Sequence, residues 1–580
     1  MPLLPYNGVL GKKHAAHLLR RATFGGTKAE IDGFSNLTPS QAIEQLFQES
    51  VLPEPPIDPA IGGTWALTPP ADNDTMDNTL QNYFRRWWFG QLCGTGVPDN
   101  QKLAFKTRER IVFLFHTHFT TIQETVGNSR ALYFQNILFR MFALDDTNNP
   151  LLTFKELSKK ICIDNAMIIL LDGRLNVRGR PNENFARELL ELYTIGKGLP
   201  GQIPETTVPG DYYYFTEQDV QAAARVVSGY DLDRTFTNLD PDTDIPRAIP
   251  KLNNQNIANQ HDNDPKVFSH RLGNAVITPN ADLLNGGRAT EESMLDELDQ
   301  LIELLFTIPE THKNICRRIY RFYVYHAITT EIESTIIAEM VNTFVANNFR
   351  IEPVIKELLS SRHFYDSMNA TVDDDNIGAL IKSPLDLTIG TLNFFKYCLP
   401  DPQGSPAEFY TLTGALIGKM NRQGMNFVNP FDVAGYDAYH QFPLYNRNWI
   451  SANTLTQRYK FIFDVMSIEN MEENPVSIDL LAFIKEDFAA YAQDPDVLVR
   501  ELASYLLPMS EEGTEILPER LNYFTSRFLE LGTGLPQGSL AFWQFSWNHT
   551  ESIPASRDDA RGMLQDLTNA MLQSPEYQLF

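Results

Sequence analysis

The sequence predicts a large, mainly α-helical globular protein with long irregular loops and little or no β-structure. Three observations carry that expectation. Apolar residues recur at three- and four-residue spacing through most of the 580 residues. Helix-start signals stand where those runs begin. Alternating apolar and polar residues, the mark of a half-buried strand, are scarce. Taken in order, Thr38-Pro39-Ser40 opens an early helix with proline in its first turn. Periodic segments follow at Asn78–Cys93, Gln101–Phe119, Arg130–Leu144 and Glu217–Ser228. Thr290 then precedes Glu291 and Glu292, acids that suit the first turn of the segment ending at Phe306. Lys313–His326, Glu331–Phe344, Leu385–Cys398, Trp449–Val465 and Arg557–Leu572 carry the pattern to the C-terminus. Tyr212–Phe215 is the best short strand candidate.

Four stretches interrupt the helices: the proline-rich Leu52–Asp77, the Gly/Pro-rich Lys197–Gly210, the polar Tyr230–Asn280 and the aromatic Asn421–Asn448. Loops of this length are usually functional or disordered. The last holds Phe427, Phe431, Tyr436, Tyr439, Phe442 and Tyr445, too many aromatics for a linker, and is expected to pack on the body. No repeat of 20–50 residues is visible, which disfavours a solenoid. Division by about 150 residues gives about four domains.

Composition narrows the class. Lys and Arg number 48 against 73 Asp and Glu, a formal charge of −25. That balance argues against nucleic-acid binding, which needs a basic patch. Acid runs at Asp231–Asp244 and Asp373–Asp375 read as solvated loops. The four cysteines are far apart and read as buried small hydrophobes rather than a disulfide or zinc framework. No apolar run is long enough for a transmembrane helix. The N-terminus lacks the apolar core of a signal peptide, so the default expectation is a cytoplasmic protein. Phosphate-loop, nucleophile-elbow and HExxH motifs are absent.

Three polar clusters could carry chemistry. In the segment Asn182–Gly196, the residues Asn184, Arg187, Glu188 and Glu191 share one arc of about 100° on a regular helix. Such a set could hold a hard cation or a proton relay. Equally, it is a surface helix with an Arg187–Glu191 ion pair. His116 and His118 end the buried run Ile111–Phe115, and a regular helix points them about 200° apart. His118 continues the Ile111/Phe115 stripe as a metal ligand or a core histidine with a satisfied hydrogen bond. His261-Asp262 offers a metal ligand with an orienting carboxylate, or an Asx turn before Pro265. Asp240–Lys251 fails the EF-hand pattern at its sixth and twelfth positions.

Asp172–Asn176 followed by Pro181–Gly196 resembles the hallmark of an uncharacterised bacterial family, domain of unknown function 1800. Other segments follow that family's order. His17–Gly25 resembles its N-terminal motif, and Phe115-His-Thr-His-Phe119 its Trp-His-x-His-Phe motif, with Phe115 for the usual tryptophan. Thr216–Gly229, His261-Asp262 with Lys266–Phe268, and Asn429–Tyr436 also match. Running from about His14 to the C-terminus, the resemblance replaces four domains with essentially one, 1–580. Sub-lobes 1–200 and 281–580, joined by the polar segment 201–280, are compatible with it.

The resemblance implies a helical fold but no activity. It points to a cell-envelope or periplasmic setting, and to a protein partner from a neighbouring sulfatase- or phosphatase-like family. It also groups the three polar clusters. Two readings stay open. In one, the protein is non-enzymatic, an envelope or assembly protein whose charged motifs form a buried ion-pair network; Glu188→Gln is then expected to unfold it or to lower its melting temperature. In the other it is a metal-dependent hydrolase-like enzyme. His118, Glu188, Glu191 and His261 would hold zinc, manganese or iron, Asp262 would orient His261, and Arg187 would balance charge in catalysis. Asn184 and Arg225 are the further binding candidates, Arg225 for an acid or an anionic substrate.

Overall fold

The computed structural model of the chain describes residues 3–67, 75–143, 149–366, 376–467, 475–508, 518–530 and 540–580. The acid run at Asp373–Asp375 and part of the proline-rich loop lie outside the described residues. The architecture is mainly α, with only three two-stranded antiparallel ribbons among the described residues. These pair Ile57–Asp58 with Gly63–Thr64, Tyr230–Asp231 with Ile249–Pro250, and Lys266–Val267 with Val276–Ile277. No helix among the described residues is long and apolar enough to cross a membrane.

Local signals placed the helix ends. Thr38 caps Pro39–Leu46 with Gln41 reaching back to it, and Thr290 caps Glu291–Thr307 with Ser293. Thr216 does the same for Glu217–Val226 with Asp219.

The Asp99–His118 helix is the central element. Every residue from Ala104 to His118 is buried, so the helix is surrounded rather than laid on a surface. Gly11–Thr23, Asp77–Leu92, Ser129–Ala143 and Pro309–Tyr323 all pack against it. The N-terminal helix also packs on Pro495–Leu506, and the C-terminal helices Pro518–Leu529, Leu540–Asn548 and Pro554–Leu572 pack on one another. A single cluster of buried hydrophobic residues runs from Leu3 to Tyr577.

A surrounded helix must find partners for its charges inside the protein. Glu109 receives a two-bonded clasp from Arg140, Nε to Oε1 and Nη2 to Oε2, both at 2.7 Å, with neither side chain exposed. Arg140 also lies over the Trp87 ring, 4.8 Å from its centroid. Arg110 pairs with buried Asp386 on the Pro384–Phe394 helix and is sandwiched between Phe24 and Phe322.

Three expectations are corrected. Tyr212–Phe215 is a tight turn: Tyr213 takes a positive φ of 76°, and the Tyr212 amide donates to the Phe215 carbonyl at 2.9 Å. The hallmark segment is not one regular helix but an α-helical turn that widens into a π-turn. Among the cysteines, Cys162 and Cys316 are buried, but Cys398 is exposed and Cys93 only half-buried. The aromatic loop does pack on the body, through buried Phe427, Tyr436 and Tyr445.

Glu109→Gln leaves the Arg140 guanidinium buried without its counter-charge. The expected loss is about 3–5 kcal/mol of unfolding free energy. Urea unfolding followed by circular dichroism measures it, and a loss under about 1 kcal/mol would show that Arg140 is satisfied without the carboxylate.

Candidate functional site

The hallmark segment is helical only from Asn184 to Glu188 and then widens into a π-turn over Leu189–Tyr193. Thr194 stabilises the widened turn by donating its hydroxyl to the Leu189 carbonyl at 2.6 Å. Gly196 follows at φ +76°, where a Cβ would sit 2.6 Å from the Asn314 side chain. The extra residue in the turn rotates Glu191 away from the regular wheel position, so no Arg187–Glu191 pair forms. Arg187 instead clasps Glu217 with two bonds, at 2.6 and 3.1 Å, and reaches Glu183 at 3.3 Å. Glu191 pairs with Lys197. Asn184 is exposed, and its amide donates to the Leu171 carbonyl at 3.4 Å.

Glu188 differs from these neighbours. It is half-buried, with no hydrogen bond or ion pair among the described residues. Burial, with the Glu191 carboxylate beside it, raises its pKa to about 7.

The two histidines diverge as a continuous helix requires. His116 packs edge-on against Trp88, centroids 5.0 Å apart, and its Nε2 is buried without a partner. Burial lowers its pKa to about 3. His118 lies among Phe119, Phe154 and Tyr193, with Nε2 2.9 Å from the Tyr193 carbonyl. Burial, with Arg318 nearby, lowers its pKa well below the ordinary histidine range. It lines a small cavity with Leu114, Thr117, Arg318, Arg321, Phe322 and Tyr439.

The third cluster divides into two pairings. Asp262 does not orient His261. Its carboxylate receives Arg225 Nε at 2.8 Å and Nη2 at 3.1 Å, and closes an Asx turn with the Asp264 amide at 3.0 Å. The carboxylate beside His261 belongs to Glu297: Oε1 lies 3.2 Å from Nε2, while the Ser228 carbonyl lies 2.9 Å from Nδ1. The other Glu297 oxygen takes Lys266, and His261, Glu297 and Lys266 are all fully enclosed.

Glu297 escaped the sequence reading, although a signal existed. It falls three residues after Met294 and four before Leu301, on the buried stripe of its helix, where an acid needs an enclosed partner. Arg318 also escaped it, because a lone arginine in an amphipathic helix carries no signal.

Among the described residues, no group of three or more His, Cys, Asp or Glu side chains is arranged to hold a metal ion. Three of the expected quartet have other partners, His261 in Ser228 and Glu297, Glu191 in Lys197 and His118 Nε2 in Tyr193, which leaves Glu188 alone. As arranged, these residues do not fit a shared metal.

The model of a family described as "Protein of unknown function (DUF1800)" matches residues 17–579. The chain belongs to the DUF1800 family. No curated protein and no solved structure matches it.

A wider opening in this DUF1800 protein lies elsewhere. It is a cleft of about 510 Å³ lined by Glu30, Cys93, Lys102, Lys106, Lys396 and Cys398, within the size range of ligand pockets. None of the motif side chains lines it.

Glu188 also sets a pH dependence. Its folded pKa, about 7, lies above the ordinary 4.5, so the folded chain holds the proton more tightly than the unfolded chain does. That contribution is complete below pH 4.5 and is lost as pH rises through about 7. Glu188→Gln removes the loss. The variant is expected to be more stable than the parent by about 1–2 kcal/mol at about pH 8, allowing for solvent screening, and equal to it at about pH 5. This reverses the expectation that the substitution unfolds the protein. Urea unfolding at the two pH values tests it, and a variant less stable at about pH 8 refutes it.

Proposed function

We propose that this chain is a non-enzymatic partner-binding protein of the bacterial cell envelope. One observation carries the reading: apart from Glu188, the charged residues of the family motifs are mostly paired with acids or bases of this chain. Arg187 with Glu217, Arg225 with Asp262, and Lys266 and His261 with Glu297 are closed pairings. Such networks fix one packing arrangement without doing chemistry. The envelope setting is supported by the family resemblance.

The aromatic loop supplies a surface for a partner. Buried Phe427, Tyr436, Tyr445 and Trp449 anchor it, while Phe431 is 88% exposed, Phe442 58% and Leu444 49%. Large apolar side chains held out on an anchored loop resemble the anchors of a protein interface. The resemblance points to a sulfatase- or phosphatase-like protein as the partner.

One observation favours a second reading, a hydrolase-like centre. Glu188 is a near-neutral carboxyl, suited to pass a proton at physiological pH. Its metal-dependent form requires His261 to leave Glu297 and Glu191 to leave Lys197. Elemental analysis of protein purified without chelator distinguishes that form.

The double variant Phe431→Ala/Phe442→Ala separates the two readings. Partner binding predicts unfolding free energy within about 0.5 kcal/mol of the parent. It also predicts affinity at least about tenfold weaker for a purified sulfatase- or phosphatase-like neighbour, read by calorimetry. Unchanged affinity, or no association by the parent, defeats the reading. Turnover of aryl phosphate or sulfate esters that is lost in folded Glu188→Gln would establish the second.

A further inference from the structure

Three lysines line the cleft of about 510 Å³, and they differ in what they have found for partners. The cleft opens between the start of the Lys28–Ser35 helix, the N-terminal part of Asp99–His118 and the end of Pro384–Phe394. Lys102 pairs with Asp99 at 3.0 Å, and Lys396 with Glu486 and Asp487 at 2.9 and 2.6 Å. Lys106 is the most enclosed of the three, only 2% exposed. Among the described residues its ammonium has neither a hydrogen bond nor an ion pair.

The two acids of the cleft wall do not answer it. Asp99 is held by Lys102. Glu30 stands beyond ion-pairing distance of Lys106, and its Oε2 accepts the Thr27 amide at 2.7 Å. Burial lowers the pKa of Lys106 against the field of Glu30. The lysine stem lies on bare backbone: a Cβ at Gly94, where φ is +70°, would sit 3.2 Å from its Cε. A second donor in the same wall is also left over, since Asn393 Nδ2 is buried without an acceptor.

An enclosed ammonium without a counter-charge is costly, and apolar packing does not offset it. The volume is in the range that holds a small organic molecule. Tyr397 and Leu399 give the wall apolar surface for the body of such a molecule.

We propose that this cleft binds a small organic anion, a molecule whose carboxylate or phosphate group pairs with Lys106 and accepts from Asn393 while its body lies against Tyr397 and Leu399. The site uses none of the hallmark residues and stands apart from the partner-binding reading.

Calorimetry and thermal melting of the full chain test it with phenylphosphonate, a stand-in for a phosphate ester that cannot be hydrolysed, and separately with phenylacetate. Inorganic phosphate and uncharged phenylacetamide are the comparisons. Expected is saturable binding and a rise in Tm with at least one of the two aromatic anions, and binding about tenfold or more weaker with either comparison. Lys106→Met is expected to weaken binding by about tenfold or more, and Asn393→Ala by about threefold or more. Without ligand, Lys106→Met is expected to melt no lower than the parent, because it removes a charge that has no partner; a lysine with a purely structural role would lower the Tm. Asn393→Ala keeps the test alive if Lys106→Met fails to fold. Lys155→Met, which does not line the cleft, is expected to bind as the parent does. The proposal is overturned if neither aromatic anion binds the parent, or if both cleft variants bind undiminished. Inorganic phosphate bound as tightly as phenylphosphonate would overturn the assignment of an organic ligand.

Discussion

The Asp99–His118 helix is enclosed from Ala104 to His118 while carrying Lys106, Arg108, Glu109, Arg110, His116 and His118. Among the described residues no other element combines such burial with so many ionisable groups, and its neighbours are arranged to answer most of them. Arg140 comes from one helix to meet Glu109, Asp386 from another to meet Arg110, and main-chain carbonyls at Ser50 and Val51 to receive Arg108. A partner lost from such an arrangement leaves a charge in low dielectric, so each position is over-determined. The surrounding helices are held by directional pairing as well as by apolar contact.

The same constraint explains how far the sequence could be read. Helix existence was legible because apolar periodicity and capping residues act within a few positions of one another. Thr38, Thr216 and Thr290 each do locally what their spacing implies. Chemistry was less legible, because charge partners are chosen across long separations. Arg187 finds Glu217, 30 positions on, rather than Glu191, one turn away. His261 takes its carboxylate from Glu297, 36 positions on, rather than from adjacent Asp262. A widened turn is equally invisible to a helical wheel, and in the hallmark segment it undid the predicted arc.

The motif residues therefore divide by what burial has done to them. Arg187, Arg225, His261 and Asp262 have gained partners, and their chemistry is directed inward. Glu188 has lost water without gaining a partner, which is why its proton is held to near neutrality. A group in that condition can be a tolerated flaw, or a reserve of reactivity kept for a ligand. The small cavity at His118, Arg318 and Arg321 has a similar character. Burial, with Arg321 beside it, lowers the pKa of Arg318.

The overall charge of −25 conceals an inverse distribution inside. Acids predominate in the chain, yet around Asp386 the enclosed charge is positive, with Arg20, Arg21, Arg110, Lys382 and Arg458 in one neighbourhood. Surface acids cannot compensate it, because solvent screens them within about 10 Å at ordinary ionic strength. Apolar packing cannot compensate it either, since burial is what makes the charges costly. The enclosed guanidiniums are held instead by Asp386 and by main-chain oxygens of Asn376, Lys382 and Phe580, which tie the N-terminal helix to the C-terminal segment.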